Sequence, residues 1–345
     1  MQRLKALVTA EVIKEKLEIL SDRIEFVYDG YNLDHEVMPP DELVQKVKDI
    51  DILVCEYDMI TADVLDAAQK LKIIICCRGG VKSVIDLEAA AARGITVCNN
   101  GGRNAEAVTD MTMGYILDLT RNISYTNSLI HNKVITSDES TKPKEYKDTV
   151  WGLDKNSPFI RFRGKSLNYM TLGIVGFGHA GRLIAKKASA FGMSIIACDP
   201  FIKDYKIDDV RIVSLKKLLK EADIVSVHCT LTDETANMFS HEQFAAMKDG
   251  AYFINTARGE IVDEDALLDA LESGKLSGAA IDVTRVEPIS SDSKLLNYDN
   301  LIITPHIAGS AYDVQATGTR MIVDSLEDWL GGNKPRNCVI EGNKR

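Results

Sequence analysis

Short apolar runs rich in β-branched residues recur at 4–9, 24–28, 52–54, 73–77 and 95–98, and the stretches between them, 11–20, 41–47, 62–69 and 85–92, mix polar and apolar positions as surface helices do. Strands that are apolar on both faces and alternate with helices predict a parallel sheet covered on both sides. These residues make a first domain of about a hundred residues. A long helix is expected over 105–130. Periodicity is then lost over 136–163, where Lys, Asp, Ser and Thr gather with Pro143 and Pro158, as in a boundary or an arm. From Met170 the alternation resumes, with strands expected at 172–175, 194–198, 224–228, 252–256, 278–283 and 301–304. Six parallel strands with intervening helices predict a doubly wound nucleotide-binding sheet. A last helix over 312–330 carries Val314, Ile322, Leu326 and Trp329 on one stripe, and Gly331-Gly332 with Pro335 end it.

The length of 345 residues agrees with two domains. Lys and Arg number 41 against 51 for Asp and Glu, and the net charge of −10 disfavours a nucleic-acid partner. With 45% hydrophobic and 27% charged residues the chain is globular rather than disordered. No run has the length of a membrane span and the start has no apolar core of signal-peptide length, so no membrane partner and a cytoplasmic location are expected. The seven cysteines (Cys55, Cys76, Cys77, Cys98, Cys198, Cys229 and Cys338) are odd in number and lack a CxxC pair. They predict neither a disulfide framework nor a metal site and read as buried small hydrophobes.

The sharpest motif is Gly176-Phe177-Gly178-His179-Ala180-Gly181, set directly after the strand expected at 172–175 and opening a helix with an apolar face at Ala180, Leu183, Ile184, Ala188 and Phe191. Asp199 stands eighteen residues beyond Gly181, at the end of the next strand. Strand, glycine turn, helix and acidic residue together specify a dinucleotide site. Gly176 allows the tight turn, Gly178 lets the backbone approach a pyrophosphate, and Gly181 lets helix and strand pack closely. The helix N-terminus then holds the negative charge. A carboxylate at Asp199 accepts hydrogen bonds from ribose hydroxyls and repels a 2′-phosphate, which predicts NAD rather than NADP.

Three further polar residues fall at the ends of expected strands, where open parallel sheets bind ligands: Arg258 in Asn255-Thr256-Ala257-Arg258-Gly259, Glu287 before Pro288, and His306 in Thr304-Pro305-His306. Histidine is the natural acid and base for interconverting an alcohol and a carbonyl near neutral pH. A neighbouring carboxylate would favour its protonated form, and an arginine offers a planar fork to a carboxylate. The trio suits a 2-keto acid. Local sequence alone also allows plain readings: a histidine capping a helix, a surface ion pair, a glutamate in a turn.

Over almost its whole length the chain resembles the D-isomer-specific 2-hydroxyacid dehydrogenases. The resemblance lies in Asp86-Leu87-Glu88-Ala89-Ala90 with Gly94-Ile95-Thr96-Val97, Gly102-Arg103-Asn104-Ala105, 174–181, Val227-His228-Cys229, 253–263, Ile281-Asp282-Val283 and 304–309. It implies that Arg258 binds the substrate carboxylate and carbonyl, that Glu287 pairs with His306, and that His306 is the proton donor. It further implies that His179 and Ala180 contact the pyrophosphate, that Cys229, Thr256, Ala257 and Gly309 line the cofactor cleft, and that Asp282 holds the nicotinamide carboxamide. Arg78, Gly80 and Val81 would lie in a loop presenting backbone N–H groups to the substrate. The implied architecture is two α/β domains of doubly wound parallel sheet, a Rossmann NAD-binding domain (119–309, with an arm at 132–163) inserted into a discontinuous flavodoxin-like substrate domain (1–118 and 310–345). The arm and long helix imply a homodimer, and the short tail implies no regulatory domain of the kind some 3-phosphoglycerate dehydrogenases carry.

Departures from the family pattern bear on substrate. Asn168-Tyr169-Met170-Thr171 reads as an insertion before the first cofactor strand, Thr230 replaces a usual proline, and Thr284-Arg285-Val286 replaces a usual aromatic residue after Asp-Val. Lys82-Ser83 replaces a usual Asp-Asn, and Arg78 with Lys82 and Arg103 would accommodate a second anionic group, such as a phosphorylated or sugar-derived hydroxy acid. The scaffold also occurs in dinucleotide-sensing corepressors, but the chain has no long disordered tail or basic patch. It also occurs in formate and phosphite dehydrogenases, and the acid at Glu287 argues against the formate version.

Overall fold

The computed structural model describes residues 3–136, 157–203 and 206–342. The chain divides into two compact units, Met1–Asn104 with Ala311–Arg345, and Ala105–Ser310. The break therefore falls before the helix Ala105–Arg121 rather than at the expected residue 118. That helix belongs to the second unit because Met113, Tyr115, Ile116 and Leu119 share a core with Ile174 and Ile184, and Lys187 of the helix His179–Ala190 binds Glu106 and Asp110 on it.

The outer unit holds β1 (Leu4–Val8), β2 (Ile24–Tyr28), β3 (Ile52–Cys55), β4 (Ile73–Cys76) and β5 (Thr96–Asn99), all parallel. The sheet order β5-β4-β3-β1-β2 reverses direction between β1 and β3, the flavodoxin-like arrangement. Both faces are covered: Leu7, Leu53 and Ile74 enter one core, and Ala6, Ile52 and Ile73 enter another that Ile322, Leu326 and Trp329 of the C-terminal helix complete.

The inserted unit runs β6 (Thr171–Val175), β7 (Ser194–Cys198), β8 (Lys206–Ile207), β9 (Val210–Ile212), β10 (Ile224–Val227), β11 (Ala251–Asn255), β12 (Leu276–Ile281) and β13 (Leu301–Ile303). Its order, β13-β12-β11-β10-β6-β7-β9-β8, places the topological switch between β6 and β10. Ligands of such sheets bind beyond the carboxyl ends of the strands at that switch.

Three features differ from the sequence expectation. The strand β14 (Cys338–Ile340) joins β5 antiparallel at the edge of the outer sheet, and β8 and β9 add a small hairpin beside β7. The helix expected over 105–130 is two helices, Ala105–Arg121 and Ile123–His131, broken where Asn122 takes a left-handed conformation at φ 56°. The break has a partner: the Thr120 carbonyl accepts from Lys165 N at 3.2 Å, and a Cβ on Gly164 would lie 2.0 Å from the same oxygen. Asp118 then accepts from Ser124 N at 2.7 Å at the start of the second helix. Of the expected arm, residues 137–156 lie outside those described.

Candidate active site

The glycine turn sits at the switch of the inserted sheet. Gly176 has φ +91°, and a Cβ there would lie 2.7 Å from Cys229 N, beyond the end of β10. A Cβ on Gly181 would lie 2.2 Å from the Gly176 carbonyl, so this glycine sets the close packing of helix on strand. Around Gly178, by contrast, an added Cβ meets nothing within 4 Å. The helix His179–Ala190 begins directly after it, with His179 exposed and Ala180 half-buried at its open N-terminus.

Asp199 ends the next strand and folds back on the turn, its Oδ2 accepting from Phe177 N at 2.8 Å and its Oδ1 from Phe201 N at 3.0 Å. Across the switch, Cys229 is partly buried, and burial pushes its thiol up to about 11. Thr256 is buried and its hydroxyl has no partner, while the adjoining Ala257 N donates to Asn255 Oδ1 at 3.0 Å. An orphaned buried hydroxyl is rare in a folded protein. Together with the open space over Gly178 and the helix N-terminus, these residues fit a bound dinucleotide.

His306 and Glu287 are brought together: His306 Nδ1 lies 2.7 Å from Glu287 Oε2, with both side chains partly open to solvent. The other Glu287 oxygen accepts from Thr284 N at 3.1 Å. His306 itself has φ 56°, a left-handed conformation that costs energy for a residue with a Cβ and persists where its surroundings hold it. What holds it is Asp282. This buried carboxylate accepts from Thr304 Oγ1 at 2.5 Å, Ile307 N at 2.9 Å and Ala308 N at 2.8 Å, while its own carbonyl accepts from His306 N at 2.8 Å. Tyr115 OH meets the Thr304 hydroxyl from behind, and burial pushes the phenol up to about 12. Sequence reasoning missed this bracing role of Asp282. Its signal was the spacing of one acid at the end of β12 and the Thr-Pro-His turn at the end of the adjacent β13.

Arg258 lies exposed at the end of the β11 loop, its Nη1 on the Ala257 carbonyl at 2.6 Å and its own carbonyl held by Asn255 Nδ2 at 2.8 Å. The next residue, Gly259, presses on the turn that carries Glu287: a Cβ there would lie 2.2 Å from the carbonyl carbon of Thr284. Gly309 is partly buried in the turn that follows His306.

In the outer unit, Arg78 follows β4 with its guanidinium 5.2 Å from the Tyr57 ring centroid. Among the described residues, the N–H groups of Gly79, Gly80 and Val81 donate to no protein acceptor. Gly79 and Gly80 are exposed, whereas Val81 is buried in the core of the outer unit. Arg103, expected to join Arg78 and Lys82 around a second anion, is instead paired with Glu56, whose side chain is 3% exposed. Burying that carboxylate requires the cation, and this removes Arg103 from the cluster.

Comparison with known proteins fits this geometry. The family described as D-isomer specific 2-hydroxyacid dehydrogenase, NAD binding domain, matches residues 113–308. The chain belongs to this family. It is therefore an oxidoreductase of the D-2-hydroxyacid dehydrogenases, acting on CH–OH with NAD(P). It is 35% identical to the hydroxypyruvate reductase of Thermotoga maritima over 92% of both chains. It is also 35% identical to the D-3-phosphoglycerate dehydrogenase of Methanocaldococcus jannaschii, over 87% of this dehydrogenase and 53% of that relative. Among solved structures, the TT0316 protein of Thermus thermophilus is similar with a TM-score of 0.75 and 33% identity, covering 98% of this chain and 100% of that one.

Proposed function

We propose that this dehydrogenase interconverts a short 2-keto acid and the matching D-2-hydroxy acid, with NAD preferred over NADP. The observation that carries this reading is the His306–Glu287 contact of 2.7 Å on a turn braced by Asp282. When bound, the dinucleotide supplies or accepts the hydride. His306 gives its Nε2 proton to the carbonyl oxygen during reduction and takes it back in the reverse direction, while Glu287 fixes the ring through Nδ1. Arg258 turns its guanidinium fork to the substrate carboxylate. In the outer unit, the N–H groups of Gly79 and Gly80, exposed and without a protein acceptor, are donors suited to a carboxylate. Asp282 has three of roughly four acceptor sites in use, which leaves one for the nicotinamide carboxamide. The preference for NAD rests on Asp199, set beside the glycine turn.

A second substrate reading, a 2-keto acid with a further anionic group, is favoured by one observation. The Arg78 guanidinium is stacked on Tyr57, and Lys82 is exposed nearby in sequence. We also propose a homodimer formed through the helix Ile123–His131, where Ile123 is 53% and Ile130 is 56% exposed; light scattering at the monomer mass would exclude it. The unpaired cysteine spacing supports the cytoplasm as its place.

The test is NADH oxidation with glyoxylate, hydroxypyruvate, pyruvate, 3-phosphohydroxypyruvate and four-carbon keto acids, beside NAD reduction with formate and phosphite. Turnover of a keto acid that falls by about 1,000-fold or more in His306→Gln supports the reading, since a positioned acid–base group contributes about 100- to 10,000-fold. A His306→Gln variant as fast as the parent protein would overturn it.

A further inference from the structure

Glu287 projects from a short turn, 284–288, closed on itself by Thr284 Oγ1 donating to the Val286 carbonyl at 2.8 Å. The strongest side-chain anchor of that turn is Arg285. Its Nε and Nη2 donate to the Val262 carbonyl at 3.0 and 2.9 Å, and Nη2 also reaches Asn237 Oδ1. The Arg285 backbone N–H donates to Glu264 Oε1 at 2.8 Å.

All of these partners belong to the continuation of the Arg258 loop or are tied to it. Val262 directly follows the 3₁₀ turn Gly259–Ile261, which itself follows Arg258. Asn237, left-handed at φ 51°, donates its N–H to the Glu260 carbonyl at 2.8 Å. Gly259 completes the junction, since its missing Cβ is what lets the backbone of Thr284 and Arg285 approach. A planar fork can hold a carbonyl and an amide oxygen at once; a lysine, with a single ammonium, cannot reproduce that geometry.

We propose that Arg285 is a positioning residue: its guanidinium registers the Glu287 turn against the Arg258 loop and so keeps the carboxylate on His306 Nδ1. The proposal rests on the catalytic reading given above for Arg258, Glu287 and His306. Arg285 is exposed and acts through groups it holds.

The experiment follows two signals in the full-length protein. One is the downfield Nδ1–H proton resonance of His306, assigned by its absence from His306→Gln; the other is steady-state reduction of the best keto acid, with NADH affinity measured by fluorescence. In Arg285→Ala the resonance is lost to solvent exchange and kcat falls by about 100-fold, as an ångström-scale misplacement produces, while the Kd for NADH stays within about twofold because the glycine turn is untouched. Millimolar guanidinium restores part of kcat and the resonance. Arg285→Lys, which keeps the charge and the fold, shows the same losses to a smaller degree and no response to guanidinium. Retention of both resonance and kcat in Arg285→Ala, or a loss that guanidinium does not relieve in a folded variant, would overturn the proposal. If the parent protein reduces no keto acid, the functional reading fails by itself, and the resonance still decides what Arg285 does.

Discussion

Gly176 and Cys229 touch through their backbones: a Cβ on the glycine would lie 2.7 Å from the cysteine nitrogen and 2.8 Å from its Cα. The contact bridges the end of β6 and the end of β10, the point where the inserted sheet changes direction. Gly176→Ala therefore faces both a left-handed backbone and a collision, and is expected to lower stability by about 2 kcal/mol or more and to abolish NADH binding. Gly178→Ala is the control, with φ −76° and open space around its Cβ. Its melting temperature should match the parent while its affinity for NADH drops, because the new methyl fills the space a pyrophosphate takes. Equal behaviour of the two variants in melting and in titration would refute this division of labour.

Asp199→Ala removes the acceptor for Phe177 N and Phe201 N along with the carboxylate. Charge-assisted hydrogen bonds to ribose hydroxyls are worth enough that kcat/KM with NAD should fall about 10- to 100-fold. The ratio of NADP to NAD activity should rise, since the repulsion of a 2′-phosphate is gone. Paired kinetics with the two cofactors measure it, and an unchanged ratio contradicts the assignment.

Asp282→Asn keeps the shape but turns an amide N–H₂ toward at least one of three donors: Thr304 Oγ1, Ile307 N and Ala308 N. A stability loss of about 3 kcal/mol is expected from hydrogen bonds to a charged acceptor, together with a large drop in kcat as His306 leaves its strained conformation. Urea unfolding and turnover should move together; a stable variant with full activity would show that the turn holds itself.

His228 follows β10 with Nε2 2.9 Å from Ser226 Oγ, and burial holds its pKa down to about 4. The unfolded chain restores the ordinary value of about 6.5. Above that value both states are neutral and His228 contributes nothing to pH dependence. As pH falls from about 6.5 toward 4 the unfolded state takes up a proton that the folded state refuses, so stability declines, by about 2 kcal/mol at pH 5. His228→Gln should lose less stability between pH 7.5 and pH 5 than the parent by about that amount, read from urea midpoints. The same decline in both proteins would assign it to other groups.

Both sheets were legible in the sequence because central parallel strands are near-continuous apolar runs, as β3, β4 and β10 are, while the edge strand β2 keeps enough apolar residues around the exposed Glu25 to register. The cofactor turn was legible because its glycines and Asp199 are close in sequence. The strands β8, β9 and β14, of two or three residues each, carry too little periodicity to register and exist only as additions to a formed edge. The break at Asn122 has its partner more than forty residues away, where Lys165 N donates to the Thr120 carbonyl and Gly164 leaves room for the approach. Arg103 read as a free cation because nothing local announces that Glu56 is buried beside it. Asp282 read as a cofactor ligand and Arg285 only as a departure from a family pattern, because the groups they brace come from other loops.

The core of the outer unit is completed by Ile322, Val323, Leu326 and Trp329, which pack with Ala6, Val8, Ile52 and Ile73, and β5, paired with β4 on one side, has β14 as its neighbour on the other. Everything the inserted unit needs has already been synthesised by Ser310. During vectorial synthesis, in which domains fold as units, the inserted unit thus has all its residues first, and the amino-terminal strands wait, one face covered only in part by Val12, Leu17 and Leu20, until the helix Asp313–Leu330 and β14 arrive. The portion made earliest is the portion finished last, and it is there that a stalled ribosome would leave sticky surface for a chaperone to cover.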